Sequence, residues 1–69
     1  MYKYPVIFER AGDNYSAYSP DIQGCIATGK TRKEAEKNIK EAIGFHIEGL
    51  KEDELPSPEP TSFTKYIEV

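Results

Sequence analysis

The stretch Ser19-Pro-Asp-Ile-Gln-Gly-Cys-Ile-Ala-Thr-Gly-Lys-Thr-Arg-Lys-Glu-Ala-Glu-Lys-Asn-Ile-Lys-Glu-Ala-Ile43 decides how this chain folds. It reads, in order, as a turn, a short strand and the opening turns of a helix. Pro20 fixes its own φ and Gly24 tolerates conformations that other residues avoid, so the two bracket a reversal. Gly29-Lys30 closes a short apolar run. Thr31 then opens the helix, and Thr31 with Glu34 has the S/T-x-x-E spacing of a capping box, in which each side chain satisfies a backbone N–H near the helix start. A strand therefore passes into a helix within two or three residues. The residues before this stretch must supply the sheet, and those after it must return to it.

Upstream, residues 2–10 (Tyr-Lys-Tyr-Pro-Val-Ile-Phe-Glu-Arg) predict a first strand. Tyr2, Tyr4, Val6 and Phe8 share the more apolar face and are expected to meet the core, with Lys3, Pro5, Ile7 and Glu9 on the other. Pro5 cannot donate to a ladder, so one side of this strand is expected to be unpaired or irregular. Ala11-Gly-Asp-Asn14 is a turn, because Gly, Asp and Asn all accept φ > 0. Residues 15–19 form a second strand, antiparallel to the first. Residues 24–29 form a third, whose small Cys25 and Ala27 leave room for a helix to lie across them.

The helix is expected over about 31–50. Ala35, Ile39, Ala42, Ile43, His46 and Leu50 fall within one apolar stripe, Ile47 flanks it, and Phe45 stands apart. Lys33, Lys37, Lys40, Glu41 and Glu48 occupy the opposite face. Residues 51–61, with Pro56, Pro58 and Pro60, predict an extended, polyproline-like connection. Residues 62–69 (Ser-Phe-Thr-Lys-Tyr-Ile-Glu-Val) alternate, with Phe63, Ile67 and Val69 on one face, and predict a fourth strand. The expected fold is α+β with the order β-β-β-α-β. It is a three-stranded antiparallel meander plus a fourth strand parallel to the first, reached by a right-handed crossover. One helix covers one sheet face. The other face is solvated or is an interface.

At 69 residues and a formal charge of −3, the chain is a single small domain, 1–69, that buries only about 60% of its unfolded surface. The charge argues against a general nucleic-acid binder. Cys25 is the only cysteine, which excludes an internal disulfide and a cysteine-based metal site. There is no apolar leader and no apolar run near membrane-spanning length, so the expected location is cytoplasmic.

Candidate chemistry is sparse. His46 has no identifiable partner within reach, since Glu41 and Glu48 lie across the helix, and reads as a packed histidine. Cys25 reads as a small core residue. Glu9, Asp13 and Asp21 invite comparison with a two-metal nuclease cluster, but their places on a strand and in two separate turns spread them apart. The ridge Lys33, Lys37 and Lys40, with stacking tyrosines, is an alternative RNA surface. No catalytic, cofactor-binding or metal-binding residue is expected.

Taken together, Tyr15-x-Ala17, Ser19-Pro-Asp-Ile-Gln-Gly-Cys25, Gly29-x-Thr31, Glu34-Ala35, Asn38, Glu41-Ala42 and Pro56-x-Pro58 are similar to the HicB-like antitoxins, over nearly the whole chain. The resemblance implies a β-β-β-α-β domain like a truncated ribonuclease H. It also implies a non-enzymatic role, in which the protein binds and masks a HicA-like toxin that cleaves messenger RNA. Gln23 stands where the family often has Pro, and Lys30 where it often has an acid. Many members carry a further DNA-binding domain, and none is present in this chain; a short stand-alone member and a piece of a longer chain both fit. Ile7, Tyr18, Asp21, Gln23 and Ile26 are the expected partner or oligomer surface, on the uncovered sheet face and the turn beside it. Five tyrosines in so small a domain suit such a surface. Self-association through an edge strand or the open face is expected. The competing readings are an RNA- or protein-binding homo-oligomer and a metal-dependent nuclease remnant.

Overall fold

The computed structural model describes residues 2–69. Its strands are β1 (Ile7–Ala11), β2 (Asn14–Tyr18) and β3 (Ile26–Gly29), followed by one long helix, α1 (Arg32–Glu52). The sheet is an antiparallel meander in the order β1-β2-β3. Gly12, at φ +62°, makes the β1–β2 turn that Asp13 and Asn14 complete.

The register explains how the core is built. Phe8 pairs with Ala17 and Ala17 with Ala27, while Arg10 pairs with Tyr15 and Tyr15 with Gly29. These two rows face the helix. Their small members let α1 lie close, and Ala17, Ile22, Cys25, Ala35 and Ile39 are buried together there. Tyr4, Val6, Phe8, Tyr15, Ala27, Ala42 and Ile43 pack around them half-exposed. The closest approach is at Gly29. A Cβ added there would sit 2.5 Å from the Ala35 backbone nitrogen and 2.9 Å from the Glu34 carbonyl carbon.

The helix start follows the capping-box reading with one shift. Thr31 is the N-cap and its Oγ1 accepts from the Glu34 N–H at 3.1 Å. The Glu34 carboxylate reaches back one residue further than the cap and accepts from the Lys30 N–H at 3.2 Å. Asn38 Nδ2 donates to the Thr28 carbonyl at 2.7 Å and ties the helix to β3.

The helix end differs from expectation. It runs past Leu50 to Glu52, and the chain then turns with Glu54 at φ +58°. The Leu55 N–H donates to the Leu50 carbonyl at 2.8 Å and the Glu54 N–H to the Lys51 carbonyl at 3.1 Å. These are the two bonds of a Schellman motif, with a glutamate in the left-handed position that glycine normally takes.

Two strand expectations are corrected. β1 starts at Ile7, not at residue 2, because Pro20 ends β2 after Tyr18 and leaves residues 2–6 with no ladder partner. Among the described residues there is no fourth strand. Residues 62–69 are exposed and belong to no strand, since the proline-spaced segment carries them off the sheet and no strand lies beside them. The radius of gyration, 13.1 Å, exceeds the about 11 Å of a compact chain this long, which reflects that projecting tail.

These geometries give two stability predictions. Gly29→Ala pushes a methyl group into helix backbone that cannot swing aside, and should cost about 1–3 kcal/mol in urea unfolding. Glu54→Gly relieves the left-handed conformation, so thermal unfolding should shift upward by several degrees, corresponding to about 1 kcal/mol.

Candidate functional site

The helix covers one face of the sheet and leaves the other open. Ile7 pairs with Tyr18, and Tyr18 with Ile26, so the three form one row across all three strands. The adjacent row, Phe8–Ala17–Ala27, faces the helix. Side chains alternate along a strand, so the Ile7–Tyr18–Ile26 row faces outward. Ile26 is 70% exposed, whereas Ile7 and Tyr18 are half-buried by their neighbours. Cross-strand neighbours of this kind stand about 5 Å apart at Cβ, close enough to make one continuous apolar band. The next outward row, Glu9–Ser16–Thr28, is polar.

The loop joining β2 to β3 borders this band. The Ile22 N–H donates to the Ser19 carbonyl at 3.2 Å, and the Asp21 N–H to Ser19 Oγ at 3.4 Å. Ser19 and Ile22 are buried, so the loop is anchored from beneath. Gly24 turns the chain back at φ +80°. Gln23 is exposed on the loop as it leads into β3.

Asp21 has a different occupation. Its Oδ1 accepts from the Thr61 N–H at 3.3 Å, from Thr61 Oγ1 at 3.2 Å and from the Ser62 N–H at 3.2 Å. Its Oδ2 accepts from the same Ser62 N–H at 3.3 Å. Desolvation pulls the Asp21 pKa upward, but the bonds from Thr61 and Ser62 together outweigh it and hold the carboxyl below its ordinary value. A second fastening lies nearby, where the Tyr4 hydroxyl donates to the Pro58 carbonyl at 2.6 Å. Desolvation, with Tyr2 and Asp21 nearby, raises the Tyr4 pKa and keeps that donor protonated. Tyr4 and Asp21 thus strap the proline-rich segment across the end of the sheet.

Of the five residues expected on a partner surface, Ile7, Tyr18 and Ile26 come together in one row, Gln23 is exposed on the loop that leads into β3, and Asp21 holds the strap. Neither strap contact is visible in local sequence. Asp21 sits in a turn where Asp serves its own loop, and its actual partners lie 40 residues away. Ile22, the buried loop anchor, also escapes a sequence reading, and its one signal is an apolar residue inside a Pro-Asp-Ile-Gln-Gly turn.

The carboxylates expected to lie apart do so. Glu9 is on the outer face of β1, Asp13 in the β1–β2 turn and Asp21 beyond the other end of β2. Among the described residues, no three His, Cys, Asp or Glu side chains converge as a metal site would need. Cys25 is buried with Sγ 3.9 Å from the Ala42 carbonyl, and burial pushes its thiol away from the reactive thiolate. His46 is half-buried on the helix, and Lys33, Lys37 and Lys40 are exposed.

The model of the HicB-like antitoxin of bacterial toxin-antitoxin systems matches residues 4–69. The chain belongs to this family. An uncharacterised 14.9 kDa protein from the rep-hol intergenic region of Haemophilus phage HP1 is 44% identical over 64 residues, covering 93% of this chain and 48% of the phage protein. The chain thus spans about half the length of that relative. A UPF0150 protein of Thermoplasma acidophilum is 50% identical over 50 residues, covering 71% of this chain and 72% of the relative. A chain in the solved HicA3 and HicB3 toxin-antitoxin complex superposes with a TM-score of 0.70 at 35% identity, over 87% of this chain and 70% of that one. Among the described residues, no helix is long and apolar enough to cross a membrane.

The strap makes a pH prediction with a definite sign. A lowered carboxyl pKa stabilises the fold above the ordinary value of 3.8, and that contribution is lost as pH falls through the lower folded value. Asp21→Asn should therefore flatten the acid limb of the stability profile. It should also speed amide hydrogen exchange at Thr61 and Ser62, measured by NMR, while exchange in α1 is unchanged.

Proposed function

We propose that this chain works as an antitoxin that binds a HicA-like toxin across the open sheet face and masks it, with no chemistry of its own. The observation that carries the reading is the Ile7–Tyr18–Ile26 row, an apolar band on the face that the single helix leaves bare. Family membership and the likeness to a chain of a toxin-antitoxin complex support the same reading. Masking requires only a complementary surface. An aromatic residue flanked by two β-branched ones is the kind of anchor that dominates protein interfaces, and the polar Glu9–Ser16–Thr28 row with Gln23 supplies the rim. The toxin class implied here cuts messenger RNA, so the encounter belongs in the cytoplasm.

The test is binding and growth rescue with a HicA-like toxin, taken from beside this gene if one is encoded there. Ile26→Asp alters a mostly exposed side chain and should leave the fold intact while weakening toxin binding at least tenfold, about 1.4 kcal/mol, by calorimetry. Lys37→Glu, on the exposed helix face, should bind as the parent chain does. A well-folded chain that neither binds nor rescues such a toxin sinks the reading. Undiminished binding by a folded Ile26→Asp variant moves the masking surface off the open face.

A further inference from the structure

The loop between β2 and β3 joins two members of the apolar row directly. Tyr18 ends β2, Ile26 opens β3, and the two are cross-strand partners, so residues 19–25 leave the row and return to it. Ser19, Ile22 and Cys25 are buried and pin this loop from beneath. Its outer tip is different. Pro20, Gln23 and Gly24 are exposed, and Gly24 sits at φ +80°. Glycine permits that reversal and also leaves the tip many alternatives to it. An exposed tip beside a contact row lowers affinity when the partner has to order it.

Asp21 reaches from this tip out of the loop, and what it grasps is itself held. The Leu55 N–H bonds back to the Leu50 carbonyl at the helix end, and the Tyr4 hydroxyl donates to the Pro58 carbonyl. Pro56, Pro58 and Pro60 stiffen the chain beyond. The strap is thus a post anchored to the helix and to the residues before β1. Both oxygens of the Asp21 carboxylate are engaged there, by the Thr61 N–H, Thr61 Oγ1 and the Ser62 N–H, 40 residues and more along the chain. An aspartate in a turn ordinarily bonds its own loop. Here Ser19 Oγ takes the local bond from the Asp21 N–H, and the carboxylate is left to tie the tip to the strap.

We propose that Asp21 is a positioning residue for partner binding: its latch to Thr61 and Ser62 holds the tip of the β2–β3 loop, and Gln23 with it, in the shape that meets the toxin. The inference rests on the open-face reading above. It adds that the affinity of that face is set in part from the strap, by residues the toxin does not touch. Asp21 acts through Gln23 and the backbone of the tip, because its own oxygens are already filled. Ordering the tip beforehand removes a cost from binding, and the effect is reciprocal, so a bound toxin tightens the strap.

Two readouts on the full chain test the latch, the first without toxin. Ser62→Pro removes the N–H that both Asp21 oxygens share. Backbone order parameters from nitrogen relaxation should then fall at Gln23 and Gly24 and stay level in α1. An unchanged tip overturns the proposal whatever the toxin does. With a HicA-like toxin, Asp21→Ala and Ser62→Pro should each weaken binding about fivefold by calorimetry, with unchanged helical circular dichroism. The double variant should bind no worse than the weaker single one, since both open one latch. In the parent complex, amide exchange at Thr61 and Ser62 should slow. A loss in Asp21→Ala alone overturns the proposal, because Asp21 then touches the toxin directly. Additive losses overturn it too. Full affinity in both variants, with Ile26→Asp still weakened, rejects the latch and keeps the open-face reading; a parent chain that binds no toxin rejects both.

Discussion

The approach of Gly29 to Ala35 is the constraint on which the other contacts depend. Strand β3 ends against the first turn of the helix so closely that a single carbon atom has no room. That contact fixes where α1 begins and at what height it crosses the sheet. Ala17, Ala27 and Ala35 extend the same low relief further along, so the helix lies on backbone and methyl groups. A core made this way is shallow. Ile22 is its largest fully buried side chain. Stability must then come from saturating the ends and loops, which is what the Thr31 cap, the Asn38–Thr28 bond and the two strap contacts do.

Much of this was legible because it is local. The capping box, the Gly-Asp-Asn turn and the 3.6-residue stripe are decided within a few residues, and all three appear in the structure near their expected positions. Tyr4, Val6 and Phe8 of the first strand's even face do pack against the core while Tyr2 does not, and Phe45 does stand apart from it at 73% exposed. The features that escaped are governed elsewhere in the chain. Nothing near Glu54 announces a left-handed residue, because the usual marker is glycine and none is there. The length of β1 was set by where β2 stops. Residues 62–69 carry the alternation of a strand, yet alternation describes what a segment can pair with, and pairing needs a neighbour.

The candidate site shows the same division. Ile7, Tyr18 and Ile26 belong to three different strands, and only the register aligns them; their apolar character is readable, their adjacency is a property of the sheet. Asp21 had the right neighbourhood and a different task. A carboxylate that accepts from three donors on the strap is poorly placed to offer the same oxygens to a partner, so the loop contributes to the surface through its shape and through Gln23.

A three-stranded sheet with one helix is left with one bare face and two edges, and a domain this small has little chain to cover them. Each of the three is treated differently. The β3 edge is linked to the helix by one amide. The bare face concentrates its apolar side chains in a single row and keeps the next row polar, which limits unspecific contact while retaining an anchor. The β1 edge carries the exposed charges of Glu9 and Arg10 along its paired length, and charge of that kind blunts an exposed strand edge. Pro5 does this only upstream of the strand, outside Ile7–Ala11. With one edge tied to the helix and the other charged, the bare face is where the sheet itself presents a row of apolar side chains.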